Sequence, residues 1–158
     1  GFNLGSNLGN NIIYSGTVAA AIEGAMQNIP SIAFSIDSFN PKSFDTSKII
    51  IRQVINLAIE KKITKNFIWN VNIPNCEEHR FKGIKVATQG NQYFNDDFDT
   101  RLDPKGNEYY WMVGNMVDED STFDSDSYVV KNDYASISPI GFNLSISKEI
   151  KKMKKFLD

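Results

Sequence analysis

The sequence predicts an α/β fold in which a parallel sheet is followed by a separate β-hairpin arm. Helical and extended patterns alternate through residues 15–73 in the order helix, strand, helix, strand, which is typical of a parallel sheet. After residue 83 the pattern changes to short aromatic strands around the turn Asp103-Pro104-Lys105-Gly106, which is typical of a hairpin.

Caps, apolar spacing and prolines indicate the first four elements. The first helix is expected at 15–27, with Ser15 or Gly16 as its cap, and the second at 45–62, where apolar residues recur at helical spacing. The strands are expected at 31–36 and 67–73, which are short apolar runs next to prolines. Residues 1–14 are expected to form a loop.

The later elements are shorter. Strands are expected at 83–88, 93–100, 108–113 and 134–140, an acidic loop at 118–126, and an amphipathic, lysine-rich closing helix at 147–157. These patterns divide the chain into an α/β part at 1–90, a hairpin and loop arm at 91–132, and a final strand and helix at 133–158.

Composition excludes several classes of protein. The chain has 158 residues, 41% of them hydrophobic and 23% charged, which suits one globular domain. A net charge of −2 gives no general attraction to a nucleic-acid polymer or an anionic membrane, and no apolar run approaches the roughly 20 residues of a membrane span. We therefore expect neither a nucleic-acid polymer nor a membrane as a partner. The single cysteine, Cys76, excludes an internal disulfide, which indicates a cytoplasmic protein.

The loop at 1–17 is the most informative segment. It is crowded with glycines and asparagines and ends in Ser15-Gly16-Thr17 at the start of an alanine-rich helix. The first N–H groups of a helix have no internal partner and carry a partial positive charge, so anions bind there. Glycine allows a close approach of the backbone to a ligand, and hydroxyl groups add donors. The sequence therefore predicts an anion such as phosphate at the helix start.

Any metal ion is expected to be held by oxygen atoms. His79 is the only histidine, so a multi-histidine zinc site is excluded, and oxygen ligands favour Mg²⁺, Mn²⁺ or Ca²⁺. Two acidic clusters are interpreted as solvated surfaces. The cluster at 96–99 lies in the hairpin, and the one at 118–126 lacks the spacing of a calcium loop.

A series of motifs resembles those of the SurE family, the survival-protein nucleotidases. The first begins at Gly1 and ends at Gly24, with the pattern Gly-x-Asn-x-Gly-x-Asn-Leu-Gly-x-x-x-x-Tyr-Ser-Gly-Thr-Val-x-Ala-Ala-x-Glu-Gly. Further motifs follow in the family's order, and the resemblance extends to about Ile146: Pro30-Ser31-Ile32-Ala33-Phe34-Ser35, Asn70-Val71-Asn72-Ile73-Pro74, residues 82–90, Asp103-Pro104-Lys105-Gly106-Asn107 with Tyr110-Trp111, Ser125-Asp126, and residues 134–140.

The resemblance implies a doubly wound, Rossmann-like sheet with an extended hairpin that is used in homodimers and homotetramers. It implies a phosphatase that depends on a divalent metal, Mg²⁺ or Mn²⁺, and removes phosphate from nucleoside monophosphates. The family also includes members that act on 3′-nucleotides and short polyphosphate. The site is expected at the carboxyl ends of the parallel strands, where open α/β sheets bind ligands.

The resemblance also implies roles for individual residues. Asn3 matches a metal ligand, and an amide oxygen suits Mg²⁺ or Mn²⁺. Ser125 and Asp126 match a pair in a loop near the site, while no residue is assigned as the general base. Five residues are expected to bind phosphate or substrate: Gly5, Asn7, Ser15, Gly16 and Thr17.

The sequence also departs from the family pattern. Asn10-Asn11 stands where an acid pair often follows Leu-Gly, and the family's opening strand with Asn-Asp-Asp-Gly, which supplies two aspartate ligands, does not occur. We therefore expect a sheet that lacks its N-terminal strands, with the remaining ligands encoded elsewhere. The alternative is a non-catalytic remnant or subunit that retains the phosphate-binding loop and the oligomerisation surface. A plain nucleotide-binding module is a third interpretation.

Overall fold

The chain forms seven strands and four α-helices within residues 2–119 and 122–157, which the computed structural model describes. The strands are β1 (Asn3–Leu4), β2 (Ile32–Ile36), β3 (Ile68–Ile73), β4 (Ile84–Val86), β5 (Tyr93–Leu102), β6 (Glu108–Val117) and β7 (Ala135–Ile140). The helices are α1 (Gly16–Met26), α2 (Asp45–Glu60), α3 (Asp126–Lys131) and α4 (Ser147–Leu157).

A five-stranded sheet with the order β1-β2-β3-β7-β4 forms the body. The expected parallel arrangement is present in β1, β2 and β3, where Asn3 lies opposite Ser35 and Phe34 lies opposite Val71. β7 runs antiparallel to β3, and β4 pairs parallel to β7, so the sheet as a whole is mixed. The sequence pattern indicated a strand at β7 but not its direction, because the chain returns to the sheet there after the hairpin.

Helices α1 and α2 cover opposite faces of the sheet. α1 packs Ala21 and Ala25 against Ile68 of β3, and α2 packs Val54 against Val71 of the same strand. Ile68 and Val71 are an odd number of positions apart, so their side chains point to opposite faces. Each fully buried aliphatic side chain of this size contributes about 1.5–3 kcal/mol to stability. The doubly wound arrangement implied by the resemblance is confirmed.

β5 and β6 form a separate antiparallel hairpin, here called the arm. Its pairing runs from Tyr93 opposite Val117 to Leu102 opposite Glu108, which is longer than the sequence pattern predicted. Asp103 stabilises the connecting turn, because its carboxylate accepts from the backbone N–H groups of residues 105 and 107 at 2.8 Å each. The pKa of the Asp103 carboxyl is lowered by two hydrogen bonds from Asn107, of which the bond from the side-chain amide has the larger effect and the bond from the backbone N–H the smaller.

The N-terminal loop is fastened to the base of the arm. The backbone N–H of Asn10 donates to the backbone oxygen of Gln92 at 2.8 Å. The Asn11 side chain accepts from the Phe94 N–H at 3.2 Å and donates to Met116 Sδ at 3.2 Å. A carboxylate could accept from Phe94 but could not donate to the sulfur. These two bonds explain why an amide, and not a carboxylate, suits position 11 of the Asn10-Asn11 pair.

Two segments differ from the sequence expectation. Residues 1–14, expected to be a loop, contain β1 and a 3₁₀ helix, Gly9–Tyr14. Helix α3 begins at the end of the expected acidic loop, of which Asp120 lies outside the described residues. All three elements are short, and short elements depend on tertiary bonds rather than on a periodic pattern. The closing helix, by contrast, lies at the predicted residues.

Substituting Gly9→Ala should destabilise the protein by about 2–4 kcal/mol, because strained backbone and steric overlap act together. Gly9 has φ +55°, and an added Cβ would lie 2.5 Å from both the backbone nitrogen and the backbone oxygen of Gln92. Urea unfolding followed by circular dichroism measures the loss.

Gly106→Ala is the matched control. Gly106 also has a positive φ, +85°, but no described atom lies within 4 Å of the added Cβ. Its expected loss is about 1 kcal/mol, from backbone strain alone. Equal losses for the two variants would show that the close approach of Gly9 to Gln92 contributes nothing.

Candidate functional site

Asn3 lies at the edge of the sheet where β1, β2 and β3 end. Its side-chain Nδ2 donates to the backbone oxygen of Gly5 at 2.7 Å, which fixes the orientation of the amide. The residue is half-buried, and its Oδ1 makes no hydrogen bond within residues 2–119 and 122–157. The amide oxygen of Asn3 therefore remains available to a ligand.

The start of α1 presents unpaired donors. Ser15 is the N-cap, and its Oγ accepts from the Val18 N–H at 3.1 Å. Gly16 and Thr17 are the first two helical residues, whose N–H groups have no acceptor inside the helix. The first turn carries no acidic side chain, so the positive end of the helix is not neutralised from within. An anion would find two N–H groups and the Thr17 hydroxyl here.

A cavity of about 370 Å³ connects Asn3 with this helix start. Its lining residues are Phe2, Asn3, Gly16, Thr17 and Ala20. Three of the residues predicted from the sequence, Asn3, Gly16 and Thr17, therefore meet at one cavity. Phe2 packs edge-to-face on Phe44 with ring centroids 6.0 Å apart. Phe2 lines the cavity, and Phe44 supports its ring from outside.

Ser15 and Gly5 shape the loop and do not line this cavity. The Ser15 hydroxyl caps the helix, and the residue lines a separate, mostly apolar cavity with Val18 and Ile140. Gly5 has φ +88°, its N–H donates to the Ser38 backbone oxygen at 3.0 Å, and an added Cβ would overlap the Phe39 ring. Only glycine fits that turn.

Asn7 is a residue of the N-terminal loop that contacts the sheet, on the face that α1 covers. Its Nδ2 donates to Ser35 Oγ at 2.5 Å, and its backbone groups bond to the side chains of Asn70 and Asn72. Asn7 is buried and does not line the cavity that contains Asn3 and Thr17. Asn70 and Asn72 were not predicted to be functional residues. The available signal was two amides at alternate positions of an otherwise apolar strand.

Ser125 and Asp126 lie at the start of α3 and do not line the cavity either. Ser125 caps α3, with its Oγ accepting from the Tyr128 N–H at 3.3 Å. The fully buried Asp126 carboxylate accepts from the N–H groups of Gly9 at 3.1 Å and Gly90 at 3.0 Å. Burial raises the pKa of Asp126, although these N–H groups act in the opposite direction. Asp126 therefore joins the N-terminal loop to the segment that follows β4.

The described residues do not form a complete metal site. The cavity offers one amide oxygen, from Asn3, and no group of three or more histidine, cysteine, aspartate or glutamate residues lies together in the described part of the chain. Mg²⁺ requires near-octahedral oxygen coordination, usually with one or two carboxylates. Asn3 alone does not meet that requirement.

Cys76 and His79 line a different, open cleft of about 690 Å³ between the loops that follow β2 and β3. Burial raises the pKa of the Cys76 thiol, which disfavours the reactive thiolate. His79 lies on the surface, with its Nδ1 3.3 Å from a carboxylate oxygen of Glu77. Neither residue lines the cavity of Asn3 and Thr17.

A protein-family model described as Survival protein SurE matches residues 1–96. The chain belongs to the SurE family. Relatives named 5′-nucleotidase SurE are similar over almost the whole chain: the one from Syntrophobacter fumaroxidans is 36% identical over 156 residues, and the one from Pelotomaculum thermopropionicum is 40% identical over 159 residues. Each match covers 99% of this chain, and 62% and 60% of the respective relatives.

A solved SurE structure supports the same conclusion. The crystal structure of the SurE protein from Aquifex aeolicus matches with a TM-score of 0.80 and 34% sequence identity, covering 100% of this chain and 64% of that one. The SurE chain described here thus spans about three fifths of the length of the curated relatives it matches. No helix within residues 2–119 and 122–157 has the length and hydropathy to cross a bilayer.

The stability of this SurE chain should depend on pH through Asp126. Its folded-state pKa is raised from 3.8, so the folded state holds the proton more tightly than the unfolded state. The contribution of Asp126 is therefore fully present below the unfolded pKa and is lost as pH rises through the folded pKa. Relative to Asp126→Asn, the wild type should lose unfolding free energy as pH rises from 3.8.

Urea unfolding of both proteins across that pH range measures the difference between them. Asp97→Asn, which changes an exposed carboxylate on the arm, is the control and should follow the wild type. A wild-type stability that rises with pH relative to Asp126→Asn would show that the N–H bonds to this carboxylate outweigh its burial.

Proposed function

We propose that this SurE chain binds the phosphate group of nucleoside monophosphates, and that it takes part in hydrolysing them. The observation that carries the proposal is the meeting of Asn3, Gly16 and Thr17 at one cavity. The names of the relatives support a 5′-nucleotidase activity. 3′-Nucleotides and short polyphosphate contain the same phosphoryl group and are proposed as further substrates.

The chemistry assigned to these residues is binding and charge stabilisation. Phosphoryl oxygens would accept from the N–H groups of Gly16 and Thr17 and from the Thr17 hydroxyl, at the positive end of α1. During attack by water, negative charge shifts among the phosphoryl and leaving oxygens, and fixed donors lower the energy of that state. We assign no general base among the described residues.

Mg²⁺ or Mn²⁺ is the proposed cofactor, and it would act as a Lewis acid. Among the residues that line the cavity, Asn3 would contribute one amide oxygen, and we propose that carboxylate ligands come from outside the described residues. The same deficiency favours a second candidate function: a phosphate-binding subunit that does not itself catalyse hydrolysis.

A homodimer or homotetramer is proposed from the exposed apolar face of the arm. Cross-strand pairing places Phe94 opposite Met116 and Phe98 opposite Met112, and all four side chains, with Leu102, are exposed. Residues at alternate positions of a strand share one face, so these five side chains lie on the same face of the arm, with Asp96 and Thr100 between them. A second copy of the chain is the proposed partner, since clusters of exposed large apolar side chains mark interaction surfaces.

Thr17→Val should weaken the binding of inorganic phosphate about tenfold, because one donor to the anion is lost while the side-chain shape is kept. NMR titration of the chain with inorganic phosphate and with a nucleoside monophosphate measures the affinity. Thr100→Val, on the exposed arm, is the control and should bind as the wild type does. Equal phosphate affinity for Thr17→Val and the wild type would contradict the proposed site.

Phosphate release from nucleoside monophosphates in the presence of Mn²⁺ separates the two candidate functions. Hydrolysis that is weakened by Thr17→Val supports the enzyme. Phosphate binding without hydrolysis supports the non-catalytic subunit.

Phe98→Lys should reduce the mass of the assembly in light scattering, because a charge would be placed in the apolar face of the arm. Asp97→Lys is the control, since Asp97 lies one position away and faces the opposite side of the hairpin. A wild-type chain that is monomeric, or a Phe98→Lys variant of unchanged mass, would exclude the arm as the interface.

A further inference from the structure

The backbone of Asn7 is held by two asparagine side chains of β3. The Asn7 N–H donates to Asn72 Oδ1 at 2.7 Å, and Asn72 Nδ2 donates to the Asn7 backbone oxygen at 3.0 Å. Asn70 Nδ2 donates to the same oxygen at 2.8 Å. Asn70 and Asn72 have no exposed surface. The amide of Asn72 thus binds both backbone groups of Asn7, and Asn70 adds a second donor.

Two buried asparagine side chains are unusual in a central strand. Strands covered on both faces usually carry apolar side chains, and buried polar atoms lower stability unless they are bonded. Asn70 Oδ1 and the hydroxyls of Ser136 and Ser138 are buried without a hydrogen-bond partner in the described part of the chain. Ser136 and Ser138 lie on β7 opposite Asn72 and Asn70. The asparagine amides bond to the backbone of Asn7 and leave these other polar atoms unbonded, which indicates that this polar layer holds Asn7 in place.

The bonds to Asn7 fix the loop between the two halves of the candidate site. Asn3 precedes Asn7 on one side, and the helix start with Thr17 follows it on the other. Asn7 is also where the loop meets the face of the sheet, through Ser35 as well as the two asparagines. A shift of Asn7 would therefore be transmitted along the loop in both directions.

We propose that Asn72, assisted by Asn70, is a positioning residue that sets the separation of Asn3 from the helix start. Neither asparagine lines the cavity, so each acts through the backbone of Asn7. The inference rests on the proposed function for the identity of the ligand. The effect on the geometry of the loop can be measured without any ligand.

Three alanine variants in one layer of the protein provide the experiment. Asn72→Ala removes two bonds to Asn7, Asn70→Ala removes one, and Ser136→Ala removes a buried hydroxyl that bonds to nothing described. Ser136 lies directly opposite Asn72, so it controls for a change of side-chain volume at the same place. Backbone amide resonances of the isotope-labelled full chain are recorded well below each variant's melting temperature, before and after addition of inorganic phosphate.

The expected result is a graded effect. Asn72→Ala should shift the amide resonances of Asn3 and Thr17 and weaken phosphate affinity about tenfold, Asn70→Ala should do the same to a smaller extent, and Ser136→Ala should do neither. If Asn72→Ala does not fold, Asn70→Ala decides the question, since one donor to the Asn7 oxygen remains.

Different results overturn the two proposals. Resonance shifts confined to β3 and Asn7, with phosphate affinity within about twofold of wild type, would reduce the asparagines to a structural role and overturn the inference. A wild-type chain that does not bind phosphate would overturn the proposed function. The shifts at Asn3 and Thr17 would still test the positioning role in that case.

Discussion

The N-terminal loop crosses the face of the sheet, and its buried peptide groups need hydrogen-bond partners there. Buried N–H and C=O groups without partners are rare in folded proteins because each costs free energy. The side chains of Asn72 and Asn70 bond to the backbone of Asn7. The Asp126 carboxylate accepts from the N–H of Gly9 and from the N–H of Ser127 at the start of α3. The position of Asn3 relative to Thr17, and with it the candidate site, depends on these bonds.

Much of the fold could be predicted from local pattern. Apolar periodicity and caps predicted α1, α2, β2 and β3, because each of them buries one regular face or run. β1 has only two residues and exists through its pairing with Ser35 and Ile36, and α3 has six residues held at its start by Asp126. No periodic pattern can arise in elements that short, so periodicity could not predict them.

The candidate site was predicted in part, and the division has a physical basis. Asn3, Gly16 and Thr17 were predicted from a motif and meet at one cavity. Motif position alone could not distinguish them from Gly5, Asn7 and Ser15. Gly5 forms a turn, Asn7 bonds to the sheet and Ser15 caps α1, so these three stabilise the loop and do not line the cavity. That distinction depends on which way each group points. Partners distant in sequence, such as Ser38, Asn72 and Val18, decide it.

The fastening of the loop to the arm has a consequence for dynamics. Gly9, Asn10 and Asn11 bond to groups at the base of the arm, while the outer part of the arm is exposed along both strands. Regions with little buried surface open at a lower free energy than the core. Since fraying that reaches the base of the hairpin breaks the contacts of Asn10 and Asn11, this part of the loop and the hairpin base would open together, while Asn7 stays bonded to β3. Amide exchange in the two segments would then proceed at coupled rates, slower than at the hairpin tip and faster than in β3.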